Sequence, residues 1–236
     1  NIDVEYAKEK GINVINTPAA SSSSVAELVF AHLFGMVRFL FDSNRQMPMT
    51  GDADFKGLKK SYAKGKELAG KTLGIIGFGR IGQEVAKRAI GLGMHVMAHD
   101  KFIEEASITL DFFNGDKKSF TIETESLENV LRNSDFITLH IPKIGDKPVI
   151  GAEQIGMMKT GAGIVNAARG GIIDETALMF ALDKEKLAYA GLDVFDNEPN
   201  PSIHICMHNA ISLTPHIGAA TLEAQDRIGT ELADQI

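Results

Sequence analysis

The stretch 71–100 decides the fold; it reads KTLGIIGFGRIGQEVAKRAIGLGMHVMAHD. Residues 73–77 are apolar or glycine without a charge, as expected of a strand that is buried on both faces. The motif G-x-G-x-x-G follows and opens the segment 81–90, in which apolar residues recur at helical spacing. A second apolar run, 94–98, leads to Asp100, which lies eighteen residues after the last glycine. The stretch therefore predicts a strand–helix–strand unit of a parallel sheet.

Each glycine of this motif has its own physical role. Gly77 permits the tight turn out of the strand, Gly79 lets the backbone approach a pyrophosphate, and Gly82 lets helix and strand pack closely. The free N–H groups at the helix start would hold the phosphates. Asp100 would accept hydrogen bonds from the adenosine ribose and repel a 2′-phosphate, which favours NAD over NADP. We therefore expect a dinucleotide site here, rather than a glycine-rich turn without a ligand.

Composition and charge limit the classes to which the chain can belong. Its 236 residues suffice for one large domain or two modest ones, and 44% hydrophobic and 23% charged residues are typical of a globular protein. A net charge of −7 argues against nucleic acid or an anionic membrane as partner. The single cysteine, Cys206, excludes an internal disulfide and fits a reducing, cytoplasmic compartment. We expect Cys206 to serve packing, and we expect no metal site.

The N-terminal third is predicted to form helices and to contribute few functional residues. Residues 12–16 read as a strand that follows a short helix. Ser24 and Glu27 have the spacing of a capping box, which would open an amphipathic helix over 25–41. His32 lies on the apolar stripe of that helix and reads as a core histidine with its polar atoms satisfied. The lysine-bearing segment 46–70 reads as a solvated connector, or alternatively as a basic patch for an anionic substrate or a partner subunit.

The rest of the chain alternates between strand and helix patterns. Residues 101–118 read as irregular, with Phe112 and Phe113 pinning a surface excursion. Further strands are predicted at 135–141, 163–168, 188–194 and 210–214, with helices that begin at 126, 151 and 174. This alternation predicts an α/β fold with a doubly wound parallel sheet.

Three chemically apt side chains follow late strands of that sheet. Arg169, Glu198 and His216 would therefore meet near the carboxyl edge, where such sheets bind ligands. Histidine can exchange a proton near neutral pH, and a neighbouring carboxylate favours its imidazolium form. Arginine can bind a substrate carboxylate through two hydrogen bonds. The three types suit hydride exchange between a nicotinamide cofactor and a 2-hydroxy acid, although each alone would read as a surface or turn residue.

The chain resembles the D-isomer-specific 2-hydroxyacid dehydrogenases along its whole length. The motifs that carry the resemblance are NID at 1–3, GINVINTP at 11–18, SVAE at 24–27, GKTLGIIGFGRIG at 70–82, LHIP at 139–142, NAARGGIIDE at 166–175, GLDVFDNEP at 191–199 and TPHIGAATLEAQDRIGTE at 214–231. The resemblance implies that Arg169 binds substrate, that Glu198 tunes the histidine, and that His216 is the acid/base. It also implies backbone contacts of Arg80 and Ile81 with the pyrophosphate.

The resemblance extends to the remaining cofactor contacts. His140, Ile141 and Pro142 would line the adenosine side, although the family often has threonine where this chain has Ile141. The residues implied near the nicotinamide are Ala167, Ala168, Arg169, Asp193, His216, Gly218 and Ala219. Asp193 would take the carboxamide of the nicotinamide.

Family architecture implies a Rossmann NAD-binding domain over 25–216 and an incomplete flavodoxin-like substrate domain. Residues 1–24 would be a remnant of that second domain, and 217–236 the return segment to it, so we interpret the chain as a piece of a longer protein. Members dimerise through the nucleotide domain, which makes the helix 25–41 and the segment after it candidates for a homodimer surface.

Within the family, the run 223–231 resembles the phosphoglycerate dehydrogenases more than the glyoxylate or hydroxypyruvate reductases. It therefore favours D-3-phosphoglycerate as substrate and a place in serine biosynthesis. Two alternatives stay open. One is another 2-keto acid such as glyoxylate or hydroxypyruvate. The other is a non-enzymatic, NAD-sensing corepressor that resembles the C-terminal-binding-protein branch.

Overall fold

The computed structural model describes residues 2–235; Asn1 and Ile236 lie outside the described residues. Its strands are β1 (Thr72–Ile76), β2 (His95–His99), β3 (Glu105–Asp111), β4 (Lys117–Glu123), β5 (Phe136–Leu139), β6 (Ala162–Asn166), β7 (Leu187–Leu192) and β8 (Ile211–Leu213). Its helices are α1 (Val4–Glu9), α2 (Ser22–Val37), α3 (Leu40–Thr50), α4 (Phe55–Ser61), α5 (Arg80–Gly91), α6 (Leu127–Asn133), α7 (Ala152–Met157), α8 (Glu175–Asp183), α9 (Ile203–Met207) and α10 (Leu222–Ala233).

Six parallel strands form the central sheet, in the order β2-β1-β5-β6-β7-β8. Helices α2 and α5 pack on one face, while α6, α7 and α8 pack on the other. Every residue of β5 and of β6 is buried, because both faces of these strands are covered. The doubly wound α/β fold predicted from the alternating pattern is confirmed. Its strand order reverses between β1 and β5, which places a ligand crevice at their carboxyl ends.

The first long helix differs from its prediction at both ends. It begins at Ser22, so Ser24 lies inside the helix, where its hydroxyl is 2.5 Å from Thr221 Oγ1. The capping-box prediction was therefore wrong. The predicted helix over 25–41 ends at Val37 instead, because Phe39 adopts a left-handed backbone, φ +55°, with its ring 5.9 Å from that of Tyr62.

Two further expectations concern the N-terminal third. The strand predicted at 12–16 is absent from the described residues; Ile12 is exposed and no strand lies beside this segment to pair with it. The connector predicted over 46–70 contains the end of α3 and all of α4.

No single helix within residues 2–235 is long and apolar enough to span a membrane. Helices α2 and α3, which meet at a bend of 54°, pass the same test of length and composition only as a pair. The domain boundaries proposed at 24 and 216 stay predictions.

A β-hairpin replaces the irregular excursion predicted after Asp100. Strands β3 and β4 pair antiparallel, and Ile108 is buried in the core that contains α5. The two phenylalanines do not pin this segment, because Phe112 and Phe113 lie exposed at the turn. Gly115 in that turn has φ +89°. An Asn-Gly pair between alternating runs is a strong hairpin signal, which the sequence interpretation missed.

Candidate active site

The glycine motif forms an uncapped helix start at the carboxyl end of β1. Gly77 has φ +97°, and a Cβ there would lie 2.5 Å from the carbonyl oxygen of His140. A Cβ on Gly82 would lie 2.2 Å from the Gly77 carbonyl oxygen, so glycine is required where α5 meets β1. Gly79 is the N-cap of α5, with no side-chain cap and open space in front of it. The first N–H groups of α5, at Arg80 and Ile81, therefore remain accessible to an anion.

Asp100 lies beside this helix start, at the end of β2. Its Oδ2 accepts the Phe78 N–H at 2.7 Å, and its Oδ1 accepts the N–H groups of Phe102 and Ile103 at 2.8 and 3.2 Å. Partial burial acts to raise the pKa of the Asp100 carboxyl, but these three hydrogen bonds outweigh it and hold the pKa below its usual value. The carboxylate is thus ionised and fixed in orientation beside the start of α5.

The segments that follow β5 and β6 lie at the carboxyl edge of the sheet, where the crevice is expected. The ring of His140 bonds Thr138 Oγ1 through Nε2 at 3.0 Å, and burial lowers its pKa to about 3, so the ring is neutral. Ile141 stands next to Gly77, since a Cβ on that glycine would contact its Cγ2. Pro142 follows in the same segment, and Ala167 and Ala168 follow β6 at the same edge of the sheet. These residues place apolar side chains and a neutral imidazole at this edge of the sheet.

Glu198 and His216 form a direct pair at the carboxyl edge of the sheet. Glu198 Oε2 lies 2.8 Å from His216 Nδ1, and Glu198 Oε1 accepts the Phe195 N–H at 2.9 Å. Partial burial acts to raise the pKa of Glu198, but His216, the Phe195 N–H and the nearby charge of Arg169 outweigh it and lower the pKa. The ionised carboxylate accepts the proton on Nδ1, which leaves Nε2 of the half-exposed imidazole free for a substrate.

Arg169 follows β6 and is oriented by its own loop. Its Nη1 donates to the Ala168 carbonyl at 2.6 Å. Buried Asn166 shapes the loop from below: its amide donates to the Arg169 carbonyl at 2.9 Å and accepts the Ala168 N–H at 3.1 Å. A Cβ on Gly170 would lie 1.8 Å from the Phe195 carbonyl oxygen, so this glycine lets the Arg169 and Glu198 loops touch. Arg169, Glu198 and His216 thus lie together at one edge of the sheet, as the sequence predicted.

Asp193, at the end of β7, braces the loop that carries His216. The side chain is only 1% exposed. Its carboxylate accepts the Thr214 hydroxyl at 2.6 Å and the N–H groups of Ile217 and Gly218 at 2.8 Å each. Of the roughly four acceptor positions of a carboxylate, about one remains for another donor. Ala219 follows this loop at the surface.

The sequence interpretation overlooked three residues that support the site: Asn166, Gly170 and Thr214. All three lie within motifs that had been noted for other residues. A buried amide directly before an arginine loop is the kind of signal that could have indicated Asn166, because a buried polar group must find partners. The contacts of Gly170 and Thr214 join separate loops, which a local pattern cannot reveal.

Comparisons with known proteins bear on this arrangement. Residues 30–218 match the family model of the D-isomer specific 2-hydroxyacid dehydrogenase, NAD binding domain. The chain is 44% identical over 242 residues to a hydroxypyruvate reductase of Thermotoga maritima, covering 100% of this chain and 72% of that protein. It is 43% identical over 238 residues to a D-3-phosphoglycerate dehydrogenase of Methanocaldococcus jannaschii, covering 100% of this chain but 43% of that protein.

The crystal structure of a glyoxylate reductase from Paecilomyes thermophila superposes with a TM-score of 0.79 at 32% identity, covering 99% of this chain and 67% of that one. The chain thus spans from 43% to 72% of the length of these relatives. The uncapped α5, the oriented Asp100 and the match to the NAD-binding model agree with one another. The chain belongs to the D-isomer specific 2-hydroxyacid dehydrogenase family, and it contains that family's NAD-binding domain.

Proposed function

We propose that this protein interconverts a D-2-hydroxy acid and a 2-keto acid with NAD as the redox partner. The observation that carries the proposal is the Glu198–His216 pair, 2.8 Å apart, beside Arg169 at the carboxyl edge of the NAD-binding sheet. A proton donor, a carboxylate that stabilises its charged form and an anion-binding guanidinium are the groups that such a reaction requires. The bound cofactor supplies or accepts the hydride.

The free Nε2 of His216 is the proposed acid/base atom. In the reductive direction it gives its proton to the keto oxygen as that oxygen gains negative charge; in the oxidative direction it takes the hydroxyl proton. Glu198 is ionised and bonded to Nδ1, so it fixes the orientation of the imidazole and leaves Nε2 for the substrate. Arg169 binds the substrate carboxylate and orients the reacting carbon.

The proposed cofactor contacts divide between the two halves of the sheet. The backbone N–H groups of Arg80 and Ile81 face the pyrophosphate, and Asp100 takes the ribose. His140, Ile141 and Pro142 lie on the adenosine side. The groups proposed for the nicotinamide side are Ala167, Ala168, Arg169, Asp193, His216, Gly218 and Ala219. The single acceptor position left on Asp193 suits one of the two N–H donors of a carboxamide.

For the substrate we propose D-3-phosphoglycerate and 3-phosphohydroxypyruvate, the pair of serine biosynthesis. The run 223–231 and the similarity to proteins named D-3-phosphoglycerate dehydrogenase support this choice. The similarity to a hydroxypyruvate reductase, at 44% identity, favours hydroxypyruvate as the second candidate. The two acids differ by one phosphate, so a phosphate-binding group in the intact protein would decide between them.

The test follows NADH oxidation by the intact protein with 3-phosphohydroxypyruvate, hydroxypyruvate, glyoxylate and pyruvate. We expect the phosphorylated acid to have the highest kcat/KM; a higher value for another acid would refute the substrate and leave the reaction class standing. His216→Ala should lower kcat about 10²- to 10⁴-fold. If NADH binds and no acid is reduced, the reaction class is wrong and an NAD-sensing role replaces it.

We also propose that the intact protein is a homodimer joined through the nucleotide domain. Helix α3 has eleven residues and buries none of them, and it exposes the large apolar side chains of Leu40, Met47 and Met49. Such apolar exposure on one helix is typical of a protein interface. Sedimentation at micromolar concentration should give twice the chain mass, and Met49→Glu should shift the equilibrium to monomer.

A further inference from the structure

His32 connects the first long helix to the loop of the proposed acid/base. It lies in the middle of α2 and is 2% exposed. Its Nδ1 is 2.9 Å from the hydroxyl of Ser212 in β8, and its Nε2 is 3.1 Å from the hydroxyl of Thr214, just after that strand. The structure confirms the sequence prediction of a core histidine whose nitrogens have hydrogen-bond partners. Those partners connect His32 to the loop of His216.

The hydrogen bonds allow one arrangement of protons. Thr214 donates its only hydroxyl proton to Asp193 Oδ1 at 2.6 Å, so it must accept from His32 Nε2–H. Burial lowers the pKa of His32, although the charge of Asp193 opposes this, and the ring is neutral. With its proton on Nε2, the neutral ring accepts the Ser212 hydroxyl proton at Nδ1. The series Ser212–His32–Thr214–Asp193 is therefore directional and fully paired.

The series ends on the backbone that presents His216. Asp193 accepts the N–H groups of Ile217 and Gly218, the two residues after His216. His216 itself has φ +56°, a left-handed conformation that is strained for a residue with a side chain. Such a conformation persists only where surrounding contacts impose it. Within the described residues, the two backbone N–H groups directly after His216 both donate to the Asp193 carboxylate.

Strand β7 leaves room for the histidine. A Cβ on Gly191 would lie 2.8 Å from the His32 Cβ, so the helix can approach the sheet only because this position is glycine. The close approach brings the imidazole within reach of Thr214. Both the backbone packing and the hydrogen bonds thus fix where the ring lies.

We propose that His32 is a positioning residue for His216: through Thr214 it holds the Asp193 carboxylate in the orientation that imposes the left-handed loop. The inference deepens the proposed function and rests on it in one respect, that His216 is the acid/base. The geometric part, that His32 stabilises the 216–218 loop, stands apart from any activity.

The test uses two substitutions that each keep one half of the imidazole. His32→Gln places an amide donor near the former Nε2 and can still bond Thr214, whereas His32→Asn reaches only toward Ser212. Ser134→Ala is the matched control, because Ser134 is also fully buried with one hydrogen bond, to Val130, at the opposite edge of the sheet. All variants are made in the intact protein and compared with the parent.

The first readout is amide hydrogen exchange at Ile217 and Gly218. We expect about tenfold faster exchange in His32→Asn, because the loss of one buried hydrogen bond is worth about a factor of ten. Exchange in His32→Gln should stay within about threefold of the parent, and exchange in Ser134→Ala should not change. The second readout is turnover. We expect kcat to fall about tenfold in His32→Asn with an unchanged KM for NADH, and to recover in His32→Gln.

The outcomes separate the inference from the proposed function. Parent-like exchange in His32→Asn would overturn the inference, as would equal losses in His32→Gln and His32→Asn, or the same loss in Ser134→Ala. If the parent reduces no 2-keto acid, the proposed function fails, and hydrogen exchange still decides whether His32 holds the loop. Should His32→Asn not fold, Thr214→Val removes the same link and must show the same faster exchange.

Discussion

Glu198 holds His216 through one carboxylate oxygen while the other is held by the backbone. Oε2 lies 2.8 Å from His216 Nδ1, and Oε1 accepts the Phe195 N–H at 2.9 Å. A carboxylate that is fixed at both oxygens orients the imidazole and leaves Nε2 as its only reactive nitrogen. The proposed chemistry depends on this arrangement, and the first prediction tests it.

Glu198→Gln should lower kcat for 2-keto acid reduction about 10- to 100-fold, the value of one charge-assisted hydrogen bond. The neutral amide removes the charge that pairs with the imidazole during proton transfer, so the loss should appear in kcat and not in the Kd for NADH. Steady-state rates and NADH fluorescence would measure the two quantities. Glu128→Gln, which breaks an exposed ion pair with Arg132, is the control and should leave kcat unchanged. An unchanged kcat in Glu198→Gln would contradict the assignment.

Arg169→Lys keeps the positive charge but loses the planar fork that matches a carboxylate. We expect kcat/KM for the 2-keto acid to fall about 10- to 100-fold, while the Kd for NADH, measured by fluorescence, stays within about twofold. Arg132→Lys, at an exposed position on α6, is the matched control. A loss of NADH affinity equal to the loss of kcat/KM would show that Arg169 serves the cofactor and not the substrate.

Asp100→Asn removes the charge of the group proposed to bind the ribose, while it keeps one of the two oxygens that accept backbone N–H groups. Because the repulsion of a 2′-phosphate disappears, the ratio of kcat/KM for NADPH to that for NADH should rise about tenfold. Asp135→Asn is the control: its carboxylate also accepts a backbone N–H, from Thr72, but at the opposite edge of the sheet. A ratio that rises equally in Asp135→Asn would mean that net charge, and not the ribose contact, sets the preference.

Gly82→Ala and Gly91→Ala place the same methyl group at the two ends of α5. At Gly82 the Cβ would lie 2.2 Å from the Gly77 carbonyl oxygen, whereas at Gly91 nothing lies within 4 Å. We expect Gly82→Ala to lose NADH binding and about 2 kcal/mol or more of unfolding free energy, and Gly91→Ala to gain up to about 1 kcal/mol. Urea denaturation and NADH fluorescence would measure the pair. Wild-type NADH affinity in Gly82→Ala would contradict the packing argument.

His140 makes the stability of the protein depend on pH. Burial lowers its pKa to about 3, so between about pH 6.5 and pH 3 the unfolded chain binds a proton at this residue that the folded chain does not. More protons in the unfolded state mean that stability falls as the pH falls, by about 1.4 kcal/mol per pH unit within this window. His140→Gln should lower the slope of unfolding free energy against pH by about that amount between pH 6 and pH 4. An identical slope in the variant would refute the neutral buried ring.

The carboxyl groups of Asp100, Asp135 and Glu198 add to this dependence at lower pH. Their pKa values are lowered in the folded protein, so the stability they contribute is present above their ordinary pKa values and is lost as the pH falls through the folded ones. Comparison of His140→Gln with the parent at the same pH cancels this common background.

Local patterns in the sequence predicted most of the fold and the centre of the site. The buried strands around the glycine motif could be recognised because parallel strands are apolar along their whole length. Arg169, Glu198 and His216 could be placed at one edge because the carboxyl ends of parallel strands meet there. The sequence also placed His32 in the core, since it stands on the apolar stripe of its helix.

Other features depended on contacts between residues far apart in the chain. Ser24 has the spacing of a helix cap, but its hydroxyl faces Thr221, 197 residues later, and the helix begins earlier. The segment 12–16 has the pattern of a strand and forms none, because a strand exists only where another strand pairs with it. No local pattern contains information about such partners.

The sequence by itself thus determined the alternation of strands and helices that builds the parallel sheet, the dinucleotide motif and the three side chains of the proposed chemistry. Only the tertiary structure decided how those side chains are held: Asn166 under the Arg169 loop, and Asp193 under the loop of His216. The physical reason is that a hydrogen bond is specified by distance and direction in space. The sequence specifies its donors and acceptors, but the packing of strands and helices decides which of them meet.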